Sequence, residues 1–379
     1  MILHIYSGNL FGGIETHILA LIEADIQRRC SNSYGHHVAL CFEGRLSNDL
    51  KSMGRPPVML GKSRFRYPWT IWRARHRLKL AILQLKIKSI VAHAPWSFRL
   101  ASPVARKLKI PIALWNHDII TGQNQLEKYA SKFPPDFIIT NSQFTVKGVE
   151  SHFGRKVDAV IYPVIRFQLS KKTIETRVRI RNEFSTDLNS VVITQFSRFE
   201  RWKGQTLLLT SLANLKSDPS WTCWIVGGVQ KPEEHAFLEE LKKLAKSIGI
   251  EDRVRFIGQR SDIPDILAAT DIHCQPNLAP EPFGLAFVEA LAAGLPSVGI
   301  NFGGSAEIIT PECGRLVPPD DLFVLSKTLS DLIHDPKLRD DLGRHGPARA
   351  NQLCNPLQAL EQLEKLLALP VISNHGSRT

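Results

Sequence analysis

The sequence lacks several features that would place the protein in other classes. Its 379 residues contain no apolar run of the about eighteen residues that a membrane-spanning helix needs. Residues 1–8 have the pattern of a strand and lack the basic start and small-residue cleavage site of a secretory signal. We therefore expect a protein of the cytosol, either free or bound peripherally to the inner face of the membrane.

Cysteine is scarce and scattered. The six cysteines are Cys30, Cys41, Cys223, Cys274, Cys313 and Cys354. No two of them form a Cys-x-x-Cys pair, and several lie in apolar segments in which free thiols pack well. The sequence predicts neither a zinc site nor a disulfide framework.

Two common phosphate-binding fingerprints are also missing. A dinucleotide site needs Gly-x-Gly-x-x-Gly after the first strand, and that spacing is absent around Gly12 and Gly13. Gly61-Lys62-Ser63 resembles the end of a P-loop, but Pro56 stands where the first glycine is required. Gly12 and Gly13 would nevertheless let the backbone approach a phosphate closely, because they form a turn that leads into a helix.

Acidic residues are absent from one long segment. Between Leu50 and His117 there is no Asp or Glu, although the net charge of the whole chain is +12. Within this segment, residues 62–88 combine Lys and Arg with aromatic side chains, which suits an anionic membrane surface or an anionic lipid-linked or saccharide acceptor. An ordinary solvated surface is the simpler alternative. Nucleic acid is not expected, since no known binding signature accompanies the charge.

Short apolar runs alternate with helical stretches along the chain, which is typical of parallel sheets covered by helices. In the first half, strands are predicted near residues 3–6, 38–42, 89–92, 111–115, 137–140 and 159–162. In the second half they are predicted at 191–196, 221–226, 254–257, 272–275 and 297–300. Helices are predicted at 13–28, 70–88, 283–293 and 357–369.

The chain is long enough for two domains, and the polar segment 166–189 separates the two series of strands. We predict an α/β fold of two doubly wound, Rossmann-like domains that face each other across a cleft. Residues 1–166 form the first domain and residues 167–352 the second. Residues 353–379 add a helix that crosses back to the first domain and a frayed tail. Ligands of such sheets bind beyond the carboxyl ends of the strands.

The stretch from Glu281 to Pro296 is the most informative. Its predicted helix is almost wholly apolar or small, and Glu289 is the single charge in it. A buried carboxylate is costly without a partner, so hydroxyls or cations are expected beside it. Glu281 precedes the helix, whose free N–H groups favour phosphate, so the stretch suits a nucleotide sugar. A salt-bridged glutamate in a core helix is the plainer alternative.

Other candidate residues also follow strands. Arg198 and Lys203 lie on a loop that enters a helix, where two cations would neutralise a leaving diphosphate, although they also fit an ordinary charged surface. His117 is a candidate for binding a sugar hydroxyl or a phosphate, with a structural histidine as the alternative. Gly227 lies in a turn of the kind that crowds a ligand, with an ordinary turn as the alternative. No Asp-x-Asp occurs in the chain, so no metal is expected at the diphosphate.

Together these residues resemble glycosyltransferase family 4, a family of retaining enzymes with the two-domain GT-B architecture. The motifs that carry the resemblance are Gly12-Gly13-Ile14-Glu15, His117 at a strand end, Arg198 with Lys203, Glu281 and Glu289 with seven residues between them, Gly303-Gly304-Ser305-Ala306-Glu307-Ile308-Ile309 and Cys313-Gly314-Arg315-Leu316-Val317. The motifs of the second half are highly specific as a set, and those of the first half are looser. One departure is Tyr162-Pro163-Val164-Ile165, where many relatives have Pro-Asn-Gly.

The resemblance implies a role for each residue. Arg198 and Lys203 would grip the diphosphate, while Glu289 would hold the ribose hydroxyls. Glu281 would hold the transferred sugar, with catalytic support from His117. Further donor contacts would come from Gly12, Gly13, Gly227, Phe283, Gly284 and Leu285.

The function expected from the resemblance is the metal-independent transfer of a sugar, with retained configuration, from a UDP- or GDP-sugar to a saccharide or lipid-linked acceptor. The setting would be polysaccharide or glycoconjugate biosynthesis, and no cofactor besides the donor is expected. Two alternatives stay open, namely a GT-B sugar-nucleotide epimerase and a non-catalytic nucleotide-sugar-binding protein.

Overall fold

The structure is a computed structural model of the chain and describes residues 1–9, 12–28, 35–167 and 172–368. The chain divides into two compact units. The first unit comprises Met1–Arg166 and Cys354–Thr379, and the second comprises Phe167–Leu353. Each unit contains its own sheet and its own hydrophobic core.

The first unit is built on a wholly parallel sheet. Its strands are β1 (Ile2–Tyr6), β2 (His36–Leu40), β3 (Val58–Met59), β4 (Ser89–Ala92), β5 (Ile112–Asn116), β6 (Phe137–Thr140) and β7 (Ala159–Val160). The helices between them are α1 (Gly13–Gln27), α2 (Arg45–Ser52), α3 (Pro68–Gln84), α4 (Pro95–Leu108), α5 (Gln125–Lys132) and α6 (Gln143–Phe153). The strand order is β3-β2-β1-β4-β5-β6-β7, so the connections change direction between β1 and β4.

The second unit has the same kind of sheet. Its strands are β8 (Val191–Phe196), β9 (Trp221–Val226), β10 (Val254–Gly258), β11 (Ile272–Gln275), β12 (Ser297–Ile300) and β13 (Gly314–Val317). The helices are α7 (Ile174–Glu183), α8 (Gln205–Ala213), α9 (Pro232–Ser247), α10 (Ile263–Ala269), α11 (Leu285–Ala292), α12 (Ser305–Ile308), α13 (Leu322–His334) and α14 (Pro336–Cys354). The strand order is β10-β9-β8-β11-β12-β13, with the change of direction between β8 and β11.

The last described helix, α15 (Pro356–Leu367), belongs to the first unit. Leu360 and Leu363 pack in one cluster with Leu21 of α1 and with Val91 of β4. The neighbouring residue Ile90 belongs to the cluster on the opposite face of the sheet. Successive strand residues therefore bury on both faces, which is expected for a parallel sheet covered by helices.

The two predicted Rossmann-like sheets are confirmed, and every predicted strand is present. Strands β3 and β13 were not predicted. Both lie at the edge of their sheets, where little apolar pattern is required of a strand. The domain limits were predicted after residues 166 and 352. The two compact units of the structure divide between Arg166 and Phe167.

The predicted helix ends are less accurate. The helix predicted at 70–88 spans Pro68–Gln84, because proline suits a first helical turn and Lys86 adopts a positive φ of 51°. The helix predicted at 283–293 spans Leu285–Ala292, since Gly284 adopts a φ of 110° outside the helix. The segment 166–189, taken only as a polar separator, contains α7 and the fully buried Arg181.

The remaining predictions concern cysteine, membrane and tail. Cys41, Cys223, Cys274, Cys313 and Cys354 are free and buried, and Cys30 lies outside the described residues. Over the described ranges, no helix has both the length and the apolar character required to cross a bilayer. The tail at 373–379 also lies outside the described residues.

Candidate functional site

The candidate site of the second unit lies where the strand order changes direction. Lys203 is on the loop after β8, and Glu281 is on the loop after β11. These two strands are neighbours and parallel, so their carboxyl ends meet at one edge of the sheet. A crevice at such an edge is the usual ligand position in open α/β sheets.

The centre of this site is an ion pair held by amides. The Nζ atom of Lys203 lies 2.6 Å from Oε1 of Glu281. The other oxygen, Oε2, accepts hydrogen bonds from Nε2 of Gln275 at 3.0 Å and from Nδ2 of Asn277 at 2.9 Å. The Lys203 ammonium also lies 4.0 Å from the centre of the Trp202 ring. Both oxygens of Glu281 are therefore fixed in direction, as a group that orients a sugar hydroxyl needs to be.

Sequence reasoning missed Gln275 and Asn277. Gln275 ends β11 and Asn277 follows two residues later, and both are buried. Polar residues at the carboxyl end of a central strand are a usable signal, because that end meets the ligand. Beyond this strand end the backbone has no regular sheet pairing, so side chains supply hydrogen-bond partners to the polar groups of the loop.

Arg198 lies on the same loop as Lys203 but has different partners. Its guanidinium is 2.8 Å from Oε1 of Glu200 and 3.1 Å from Oε1 of Glu234. Glu234 is buried on α9, and its other oxygen accepts from the backbone of Gln230 at 2.6 Å. Arg198 is thus held in place by its own unit, and its contact with a diphosphate stays a prediction.

Glu289 lies on α11 and is partly buried. Burial raises the pKa of Glu289 to about 7. Across the ranges that the structure describes, no side chain forms an ion pair with it. The salt-bridged alternative is therefore not what the structure shows, and a carboxylate in this position is available to hydroxyl groups.

A glycine loop after β12 supports the start of α11. The backbone N–H of Gly304 donates to the carbonyl of Glu281 at 2.9 Å. A Cβ atom on Gly304 would lie 1.9 Å from the carbonyl oxygen of Phe283, so no other residue fits there without movement. This contact places Glu281 and Phe283 immediately before Gly284 and Leu285, where α11 begins.

The packing within the second unit explains why position 227 is a glycine. A Cβ atom on it would lie 1.9 Å from the carbonyl oxygen of Ser197, and its N–H donates to Gly258 at 3.0 Å. Two loops at the sheet edge therefore approach each other too closely for a larger residue. The predicted crowding of a ligand by Gly227 stays a prediction.

The candidate residues of the first unit follow β1 and β5. The N–H of Gly12 donates to Oε2 of Glu15 at 2.9 Å, and Gly13 begins α1. His117 is buried, and its Nε2 lies 3.0 Å from Nδ1 of His93. Burial lowers the pKa of His117 to about 3, so the imidazole is neutral. A neutral ring suits a sugar hydroxyl better than a phosphate, whose charge it does not balance.

A cavity of about 720 Å³ opens beside the first sheet. Its wall includes Tyr6 at the end of β1, and Arg64 and Arg99 supply positive charge. Phe65 and Trp96 supply aromatic faces, and the Arg99 guanidinium lies 4.4 Å from the Phe65 ring. Cations with flat apolar rings suit a saccharide that carries negative charge. The segment between Leu50 and His117, which has no Asp or Glu, already showed this mixture of cations and aromatic residues. The sequence did not show that some of these residues meet in one cavity.

Two families match the chain in succession. Residues 177–349 match the family described as glycosyl transferases group 1. Residues 11–167 match the family described as Glycosyltransferase Family 4. The two matches together span most of both units.

Individual proteins are also similar. A lipopolysaccharide core biosynthesis mannosyltransferase, LpsB of Rhizobium meliloti, is 32% identical over 179 residues, which are 46% of this chain and 49% of that protein. A GDP-mannose-dependent monoacylated alpha-(1-6)-phosphatidylinositol monomannoside mannosyltransferase of Corynebacterium glutamicum is 29% identical over 226 residues, or 56% of this chain and 57% of that protein. The chain thus spans about half the length of these curated relatives.

Among solved structures, the crystal structure of Anabaena HepE in complex with UDP and glucose superimposes with a TM-score of 0.83 at 23% identity. The match covers 97% of this chain and 98% of that one. At this identity the likeness shows the fold alone, and that fold is the GT-B architecture that the sequence predicted.

Proposed function

Because the chain belongs to glycosyltransferase family 4, we propose that it transfers a sugar from a UDP- or GDP-sugar to a saccharide or lipid-linked acceptor. One observation carries the proposal, namely the contact of 2.6 Å between Lys203 and Glu281 beyond the carboxyl ends of β8 and β11. An ammonium and an oriented carboxylate at that edge match the anionic diphosphate and the hydroxylated sugar of a nucleotide sugar.

On the donor side, Lys203 and Arg198 neutralise the charge that develops as the nucleoside diphosphate leaves. Glu281 accepts hydrogen bonds from the transferred sugar, and Glu289 accepts them from the ribose. The start of α11 adds N–H groups that favour phosphate. Gly12 and Gly13 belong to the donor site in the same proposal, through backbone contacts.

The reaction retains the anomeric configuration, as the family resemblance implies. It needs no metal ion, because the cations of Arg198 and Lys203 and the helix N-terminus carry out the charge neutralisation. The named relatives support a donor of the UDP or GDP class, since one is called GDP-mannose-dependent and HepE was solved with UDP and glucose.

On the acceptor side, the cavity beside β1 and β4 takes a saccharide that carries negative charge or is linked to a lipid. His117 binds a sugar hydroxyl of a substrate. The names of the relatives support this class, because one acts in lipopolysaccharide core biosynthesis and another on a phosphatidylinositol mannoside. We place the reaction in polysaccharide or glycoconjugate biosynthesis.

The protein works at the cytoplasmic face of a membrane in this proposal. The outer side of α3 exposes Trp69, Trp72, His76, Leu80 and Leu83 at helical spacing. Basic residues flank this stripe, including the exposed Arg66 and Arg73. An amphipathic helix of this kind binds at the interface of an anionic bilayer, and the proposed lipid-linked acceptor would be found there.

The proposal is tested by incubating the purified protein with UDP-glucose, GDP-mannose and related donors, with and without bacterial lipid extract, after removing metals with a chelator. Release of UDP or GDP together with labelled lipid or saccharide is expected. Conversion of the donor sugar without an acceptor would instead identify an epimerase. Donor binding without any nucleotide release would identify a binding protein.

A further inference from the structure

Four buried histidines form a continuous row of hydrogen bonds across the first sheet. We call His36, His4, His93 and His117 the histidine ladder. In this order, the ring nitrogens of neighbours are 2.8, 2.8 and 3.0 Å apart. Neighbouring rings are stacked, with centroids 5.1 to 5.2 Å apart. The family match and the proposed donor site leave this row unused.

Strand register explains how the ladder forms. It crosses β2, β1, β4 and β5, which are neighbours in the sheet. Ile2 lies level with His36 and two residues before His4, and Val91 lies level with His4 and two residues before His93. The register of β4 with β5 ends at the pair Ala92 and Leu114, and His93 and His117 directly follow these two strands. Each step of two residues keeps the side chains on one face, so the ladder runs diagonally from the amino end of β2 to the carboxyl end of β5.

A carboxylate from α15 closes the amino end of the ladder. Oε1 of Glu364 lies 3.0 Å from Nε2 of His36 and 2.5 Å from the guanidinium of Arg28. Burial acts to raise the pKa of Glu364, but the hydrogen bonds from His36 and Arg28 outweigh it and hold this pKa below its ordinary value. Glu364 is therefore ionised at neutral pH and only accepts hydrogen bonds.

The ionised end determines the direction of every bond in the row. Burial lowers the pKa of His4, His93 and His117, so each ring is neutral, with one N–H and one lone pair. With one hydrogen on His36, its Nε2 donates to Glu364 and its Nδ1 accepts from Nε2 of His4. The same rule applies at each step, so His117 donates from Nε2 and keeps the lone pair of Nδ1.

We propose that Glu364, through the histidine ladder, holds His117 in the tautomer whose Nδ1 accepts a hydrogen bond from a sugar hydroxyl of a substrate. This inference rests on the proposed function. Glu364, His36, His4 and His93 are positioning residues, and His117 alone contacts the sugar. The Nδ1 atom of His117 forms no bond with the residues in the described ranges, so it is available for that contact.

A metal ion is the competing explanation of this cluster. Ring nitrogens of His17, His93 and His117 lie within 4.8 Å of one another. His17, however, accepts a hydrogen bond from the backbone N–H of Val164 at its Nδ1, over 3.0 Å. Burial lowers the pKa of His17, so the ring is neutral and has a single lone pair, which this bond already occupies. The hydrogen-bonded row is therefore the better description.

The test reads the tautomer of His117 directly. Protein labelled with ¹⁵N-histidine is compared by NMR as wild type, Glu364→Ala and the control Glu361→Ala, which changes an exposed residue of the same helix. Wild type and E361A should show only the Nε2–H form of His117. In E364A that form should fall to about half, because the two bond directions then differ little in free energy. If E364A does not fold, His4→Phe, which interrupts the row, replaces it.

Two further readouts complete the test. H117Q, which lacks the His117 imidazole, identifies its Nδ1 resonance in the spectrum. Methyl α-D-mannoside at high concentration should then move this resonance in wild type. A wild-type Nδ1–H form, an unchanged tautomer in E364A, no response to the glycoside, or a bound metal ion in elemental analysis would each overturn the inference. The tautomer is measured without donor or turnover, so its failure is distinct from a failure of the transferase assay.

Discussion

Lys203 and Glu281 are 78 positions apart in the chain, yet their side chains form an ion pair at 2.6 Å. Their side chains are only 11% and 17% exposed. Removal of either partner would leave a poorly solvated charge, which is more costly than the pair itself. The pair therefore links the proposed donor site to the local stability of the loops after β8 and β11.

Replacement of Lys203 by Met should reduce sugar transfer by about a hundredfold or more, because one fixed cation at a leaving diphosphate is worth that much. The measurement is nucleotide release under saturating donor. Arg201→Ala is the matched control, since Arg201 lies two residues earlier and pairs with Glu240 at the surface. Equal loss in both variants would show that the loop, and not the Lys203 charge, is responsible.

The stability of the second unit should depend on the protonation of Glu289. Its pKa is about 7 in the folded protein against an ordinary value of 4.5. Between these values the folded state binds more protons than the unfolded state, so stability falls as the pH rises, by at most about 3 kcal/mol. Thermal unfolding from pH 4.5 to 8 should show this decline in wild type but not in Glu289→Gln.

The same carboxylate should respond to the donor. An ionised Glu289 accepts ribose hydroxyls better than a protonated one, so UDP or GDP should bind more tightly above pH 7. The exposed Glu233→Gln serves as the control, because it changes a glutamate of α9 at the surface. A wild-type stability profile without a slope between pH 4.5 and 7 would contradict the assignment.

The stripe on α3 should bind anionic vesicles. Trp69 and Trp72 are 63% and 70% exposed, so their replacement by Ser should leave the fold unchanged. Flotation with vesicles that contain phosphatidylglycerol should show a loss of binding of about tenfold or more for the double variant. Phe323→Ser removes another exposed aromatic residue, in α13, and should bind as wild type does. Binding that is indifferent to salt or to anionic lipid would exclude the proposed surface.

Arg181 should be essential for the stability of the second unit. Its buried guanidinium donates to the carbonyls of Ala269 and Ser190 and lies 2.6 Å from Oδ2 of Asp271. Arg181→Met should cost about 3 to 5 kcal/mol in urea unfolding, because several buried carbonyls lose their donor and Asp271 keeps only one of its two guanidinium partners, Arg177. Arg179→Ala, on the exposed side of α7, should cost less than about 1 kcal/mol. A neutral R181M would show that water replaces the guanidinium.

The strands of the two sheets and the charged candidate residues of the site were predictable, because both depend on local sequence pattern. Strands such as 191–196 and 297–300 are short segments rich in Val and Ile, and both ends agree with the structure. Glu289 was identifiable as the one charge in an apolar helix, and Lys203 as a cation after a strand. Gln275 and Asn277 were not predicted as site residues. Uncharged polar residues near a strand end have no distinctive sequence pattern, and only their hydrogen bonds to Glu281 identify them.

The sequence alone determined the fold class and the chemical character of the candidate site, since apolar periodicity and the spacing of charges are properties of neighbouring residues. Only the tertiary structure decided the partners. It joined Lys203 to Glu281, turned Arg198 toward Glu200 and Glu234, and aligned His36, His4, His93 and His117 in one row. Such pairings depend on strand order and register, which bring distant residues together and leave no trace in local spacing.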